Sequence, residues 1–137
     1  MSDESLKLTV YFGERDRANG GFLADELIDI YARRQLQSSL VMRGVEGFGV
    51  HHHLRTDRLL TLSEDLPMVS VAVDTRARIE AALADVEALS FHGLVTLERA
   101  RLLVGALQSA EIPTELGDEI KLTAYVVRQD RVGRTPA

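Results

Sequence analysis

The pattern of apolar and polar residues predicts an α+β domain: a four-stranded antiparallel sheet carrying two helices on one face. Three features predict it. Residues 6–12 and 68–73 alternate at a period of two, as half-buried strands do. Residues 23–31 and 79–89 repeat apolar side chains at helical spacing. The segments succeed one another as strand, helix, strand, long loop, strand, helix, strand, which is the βαββαβ order of ferredoxin-like domains.

In the first strand Leu6, Leu8, Val10 and Phe12 share one side, and Lys7, Thr9 and Tyr11 the other. Gly20-Gly21 breaks the chain before a helix that carries Leu23, Leu27, Ile30 and Tyr31. Asp25, Glu26, Asp29, Arg33 and Arg34 fall between these and give that helix a solvated face. Leu40, Val41, Met42 and Val45 open a second strand that runs into Gly44, Gly47 and Gly49. Residues 50–65 are polar and sparsely apolar, a long connection of the kind that is usually functional or mobile. After Pro67, Val69, Val71 and Val73 alternate with Met68, Ser70 and Ala72, so the third strand has one face of small residues. Asp74 and Thr75 are N-cap residues for the second helix, built on Ile79, Ala82, Leu83, Val86 and Leu89 up to the break at Gly93. Residues 94–97 read as a strand, but 96–103 also fit a helix capped by Thr96, and periodicity leaves both open.

The composition narrows the function. Hydrophobic residues make up 45% and charged residues 27%, as in folded globular chains. There is no cysteine, which excludes disulfides and thiolate chemistry. The formal net charge is -5 and the arginines stand beside acidic residues, as in Glu14-Arg15-Asp16-Arg17, so nucleic acid is not the expected partner. No apolar run reaches the roughly 20 residues of a membrane span, and residues 1–4 carry no signal-peptide features; a cytoplasmic protein, not inserted in a membrane, is expected.

The end of the chain echoes its beginning. Leu6-Lys7-Leu8-Thr9-Val10-Tyr11 returns as Ile120-Lys121-Leu122-Thr123-Ala124-Tyr125, and Asp16-Arg17 as Asp130-Arg131. The expected organisation is therefore a domain over 1–104, a linker over 105–118, and at 119–137 the first strand of an incomplete second repeat. That extra C-terminal strand, residues 120–127, would add to a sheet edge in its own subunit or a neighbour's.

Four motifs carry a resemblance: Leu8-Thr9-Val10-Tyr11-Phe12-Gly13-Glu14, Arg43-Gly44-Val45-Glu46-Gly47-Phe48-Gly49, Leu62-Ser63-Glu64-Asp65-Leu66-Pro67 and Gly93-Leu94-Val95-Thr96-Leu97-Glu98. Over roughly residues 5–104 the chain resembles domain-of-unknown-function family 190, whose members are similar to the PII nitrogen-signalling proteins. The resemblance implies a ferredoxin-like fold, with residues after Gly93 as the fourth strand, and assembly as a homotrimer. It implies an adenine nucleotide such as AMP or ADP as ligand in clefts between subunits, and no other cofactor. It also implies a T-loop over residues 50–64 that meets a partner, such as a membrane transporter or channel; relatives are associated with fluoride-channel proteins. Gly47-Phe48-Gly49 matches the base of the T-loop, where a glycine backbone approaches the ligand. Phe91-His92-Gly93-Leu94 matches a phosphate-facing loop of the adjacent subunit, and Arg101 lies near phosphate-binding arginines. PII proteins carry more glycine and a lysine beside Gly93; without them, a monophosphate or cyclic nucleotide is the expected ligand over a triphosphate.

The ligand-binding set expected from these readings is Arg43, Gly44, Glu46, Gly47, Phe48, Gly49, His92, Gly93, Leu94 and Arg101. Each has a plainer reading. The glycines would shape a bulge, Glu46 would be solvated, and Arg43 would make a surface ion pair. His51-His52-His53 places two histidines on one side of an extended chain, but no third ligand accompanies them, and metal binding is not expected. Glu64-Asp65 point apart on an extended chain, and His92 has no serine or cysteine nucleophile beside it. A binding protein, not an enzyme, is therefore expected. The rival readings are a ligand-free structural oligomer and a small ferredoxin-like enzyme.

Overall fold

Strand β1 (Ser5–Gly13) is the spine of a sheet in the computed structural model, which describes residues 4–44, 46–48, 54–56, 66–103 and 121–124. On one side β1 pairs antiparallel with β7 (Pro67–Thr75), Thr9 opposite Val71; on the other it pairs antiparallel with β8 (Leu94–Ala100), Thr9 opposite Thr96. β4 (Ser38–Arg43) pairs antiparallel with β7, Leu40 opposite Val71, and completes the order β4-β7-β1-β8. Helices α1 (Leu23–Arg33) and α2 (Arg76–Glu87) provide the second layer, giving the α+β ferredoxin-like fold. Two short ladders are added: β2 (Arg17–Ala18) with β3 (Gly21–Phe22), and β5 (Glu46–Phe48) with β6 (Leu54–Thr56). The chain divides into two compact units, Met1–Leu103 and Val104–Ala137, and the sheet and both helices belong to the first.

The period of two in β1 decides which face the helices cover. Leu6, Leu8, Val10 and Phe12 enter one core with Leu23, Leu27, Ile30 and Tyr31 of α1 and Ile79, Ala82 and Val86 of α2. The small face of β7 belongs to this layer: Ser70 and Ala72 are fully buried, and their size lets helix pack close to strand. Tyr31 spans the layers, its hydroxyl 2.8 Å from that of Ser70. On the other face the register lines up Met42, Val69, Tyr11 and Leu94 in one row across all four strands.

Several local expectations are corrected. Residues 94–100 form a strand, as the family resemblance implied, so the helical alternative falls. The second helix ends at Glu87, two residues short of Leu89, because Ser90 takes a left-handed φ of 50°; Leu89 still reaches the core from the following turn. Thr75 occupies the N-cap without a side-chain cap bond. Asp74 serves the backbone instead, accepting from the N–H of Thr75 at 2.6 Å and of Gln37 at 2.8 Å. The β2–β3 hairpin turns on Asn19-Gly20, both at positive φ (49° and 83°). Val45 of the expected second strand lies outside the described residues, as does most of the strand expected at 120–127. Within it residues 121–124 are exposed and belong to no strand.

Burial pushes the Tyr31 phenol above its ordinary pKa, with the Ser70 hydrogen bond acting in the opposite direction. A pKa raised on folding stabilises below the unfolded value of about 10 and loses that contribution as pH rises through the folded value. Tyr31→Phe is expected to cost about 1–2 kcal/mol at pH 8, because the Ser70 hydroxyl loses its partner. The variant should also lose less stability between pH 8 and 11 than the parent. Urea unfolding midpoints check both; equal losses over that pH range would refute the assignment.

Candidate functional site

The strand directions bring most of the expected ligand residues to one end of the sheet. β4 ends there at Arg43, β1 ends at Gly13, β7 begins at Pro67 and β8 begins at Leu94. Gly44, Glu46, Gly47 and Phe48 follow β4 directly, and His92 and Gly93 lead into β8. Arg43, Gly44 and the β5 residues therefore form one group, and His92, Gly93 and Leu94 another.

These groups sit on opposite edges. Three inter-strand spacings separate β4 from β8, about 14 Å at about 4.8 Å each. Arg101 joins neither group. It follows the last residue of β8, seven positions beyond Leu94, or about 23 Å along an extended strand. It is exposed at the far end of the sheet. Gly49, the histidines 51–53 and residues 57–65 lie outside the described residues.

Backbone contacts build the β4 corner. The Gly44 N–H donates to the Pro67 carbonyl at 2.7 Å, carrying the β4–β7 ladder one residue past Arg43. A Cβ on Gly44 would come within 2.9 Å of Pro67 Cγ, so close packing requires glycine there. Arg43 Nη1 donates to Glu14 Oε1 at 2.9 Å, with Arg43 59% and Glu14 35% exposed. Sequence reading missed Glu14 as part of this corner. It stands after the first strand with no periodic signal, and only the sheet order brings it near Arg43.

At the β8 corner a Cβ on Gly93 would approach the Tyr11 carbonyl at 2.6 Å and the Phe91 ring at 2.7 Å. Glycine is required here by the crossing of two backbone segments. His92 and Leu94 are exposed beside it, Leu94 by 54%. A polar cleft at the opposite end of the sheet, lined by Gln35, Gln37, Asp74, Thr75 and Arg78, contains none of the expected ligand residues. Among the described residues no three His, Cys, Asp or Glu side chains gather to hold a metal ion. No described helix is long and apolar enough to cross a membrane.

Known proteins share this architecture. The chain is similar to CPII, a nitrogen regulatory PII-like protein from Thiomonas intermedia K12, in a structure bound to ADP, AMP and bicarbonate. The TM-score is 0.56 at 13% identity, over 72% of this chain and 88% of that one. A second structure of CPII, bound to ADP and bicarbonate, gives a TM-score of 0.50 at 14% identity over the same shares. These likenesses establish the fold. In sequence the chain is 25% identical over 96 residues to a UPF0166 protein of Aquifex aeolicus (strain VF5), covering 70% of this chain and 90% of that protein. The model of one family spans nearly the whole first unit, residues 5–102, and the chain belongs to that family, DUF190 (Uncharacterized ACR, COG1993).

Proposed function

We propose that this protein is a cytoplasmic PII-like regulatory binding protein that takes an adenine nucleotide in clefts between copies of itself. The observation that carries this reading is the division of the ligand residues between opposite edges of one sheet. Arg43 at the β4 edge and Leu94 at the β8 edge share one end but stand three strand spacings, about 14 Å, apart. A nucleotide phosphate group cannot touch both in one copy. Two copies meeting edge to edge bring them together, and a ring of such contacts closes as a homotrimer.

The exposed apolar side chains support assembly. Tyr11, Met42 and Leu94 are 43%, 47% and 54% exposed in the row that crosses the uncovered face. Val95 and Leu97 of the β8 edge, opposite Val10 and Leu8 on the helix-bearing face, are 37% and 45% exposed. Exposed apolar side chains along an edge and an uncovered face mark an association surface. The choice of an adenine nucleotide is supported by the fold shared with CPII, which is bound to ADP and AMP in a solved structure. AMP and ADP suit this site better than ATP, because the Phe91-His92-Gly93-Leu94 segment brings no lysine to a third phosphate. In this reading residues 50–64 form a T-loop that presents itself to a partner, a membrane transporter or channel of the fluoride-channel type. Ligand contacts at residues 47–49 shift its population toward the partner-binding form.

Two outcomes are expected. Light scattering on a sizing column gives about three times the 15.2 kDa of one chain. Calorimetric titration then shows binding of AMP and ADP, weaker binding of ATP, and no binding of guanine nucleotides; silence with all adenine nucleotides removes the nucleotide reading. Met42→Lys, which places a charge in the apolar row outside the ligand set, should dissociate the assembly and abolish nucleotide binding together. A monomeric Met42→Lys that still binds ADP would place the site within one copy.

A further inference from the structure

Glu14 and Arg43 belong to segments that are not neighbours in the sheet. β7 lies between β1 and β4, and the Arg43–Glu14 pair closes over its first residue, Pro67. Backbone bonds hold both ends of this bridge. The Glu14 N–H donates to the Leu66 carbonyl at 2.8 Å, and the Gly44 N–H donates to the Pro67 carbonyl at 2.7 Å. The turn that delivers Glu14 is closed as well. Asp16 Oδ2 accepts from the Gly13 N–H at 2.7 Å, and the Asp16 N–H donates to the Gly13 carbonyl at 3.0 Å. The fold thus places the Glu14 carboxylate against the guanidinium.

We infer that Glu14 is a specificity-determining residue of this corner: its carboxylate fills the anion position at Arg43, and an incoming phosphate group binds by exchanging with it. The inference rests on the reading of Arg43 as a phosphate-contacting residue. Both side chains are open to water, and one charge-assisted bond at such exposure is weak, so exchange costs little. The tethered carboxylate nevertheless competes at a high local concentration and lowers the apparent affinity for any anion at Arg43. It also selects among anions. A phosphate carries more charge and more acceptor oxygens than a carboxylate and can outcompete Glu14, whereas a monocarboxylate offers Arg43 nothing that Glu14 does not already supply.

The test compares the parent, Glu14→Gln, Arg43→Gln and the double variant, each titrated with ADP by calorimetry. Each is also titrated with inorganic phosphate, followed through the amide resonances of residue 43 and Gly44. Glu14→Gln is expected to tighten both ligands by about two- to five-fold, the modest factor that an exposed pair can withhold. Arg43→Gln should weaken both by about two- to five-fold, the scale of a lost bond at this exposure. The double variant should match Arg43→Gln, because without the guanidinium there is nothing to compete for. Unchanged or weaker binding in Glu14→Gln overturns the inference, and so does a double variant that binds better than Arg43→Gln. If ADP binds to none of the four while phosphate follows the expected order, the nucleotide reading fails and the exchange stands. If phosphate gives no response in Glu14→Gln, the exchange itself is refuted.

Discussion

The width of a four-stranded sheet is the constraint on which the other properties of this fold depend. β1 pairs with β7 on one side and β8 on the other, so the strand that opens the chain cannot be an edge. The edges are left to β4 and β8, the strands that carry the two expected ligand corners. The same arrangement separates apolar burial from apolar exposure. Helices α1 and α2 cover the face of Leu6, Leu8, Val10 and Phe12, while the row from Met42 to Leu94 lies on the other face. Edge strands with exposed apolar residues invite pairing with other chains unless they are managed. Here that tendency coincides with expected ligand residues on both edges, so in the proposed reading association and binding draw on one geometry.

The two corners are shaped mainly by backbone. Gly44 and Gly93 are both required by close approach, one to Pro67 and the other to the Tyr11 carbonyl and the Phe91 ring. This accounts for their identity without a ligand, and it also serves one. A segment packed this tightly has few ways to move, and a preorganised backbone loses little freedom when a phosphate settles against it. The plain and the functional readings of these glycines are therefore compatible. Gly47 belongs to the short β5–β6 ladder, so the base of the long loop is hydrogen-bonded structure that follows directly from β4.

How far the sequence disclosed this depends on the range of the interactions involved. The strands and helices rest on local periodicity, and Leu6 to Phe12 or Leu23 to Tyr31 could be placed from spacing alone. Residues 94–100 could not, because β8 is half polar and holds its shape through pairing with β1: Lys7 opposite Glu98, Thr9 opposite Thr96. The β2–β3 hairpin was legible in Asn19-Gly20, a dipeptide suited to tight turns with positive φ, but Gly20-Gly21 was read only as a break. The site was less legible still. Arg43 and Gly93 stand out by residue type, yet their separation across the sheet depends on strand order. Arg101, near them in an analogy of motifs, is carried by β8 to the opposite end. Glu14 carries no local signal, since its partner is met only across β7.

Electrostatics supplies the last step. The chain has a net charge of -5, and the Arg43 guanidinium at the β4 corner already faces a carboxylate. A net charge of this sign supplies no overall long-range attraction for an anion. In the proposed reading recognition rests on short contacts: the Arg43 guanidinium, the backbone at the glycine turns, and apolar surface such as Leu94 for a base or ribose to cover. Such a site discriminates by charge number. With Arg43 as the proposed contact of the first phosphate, each further phosphate would gain less attraction for the same desolvation cost. In the proposed reading such a site distinguishes low-charge from high-charge nucleotides without a separate rejecting element, since no lysine stands beside Gly93 to meet a further phosphate.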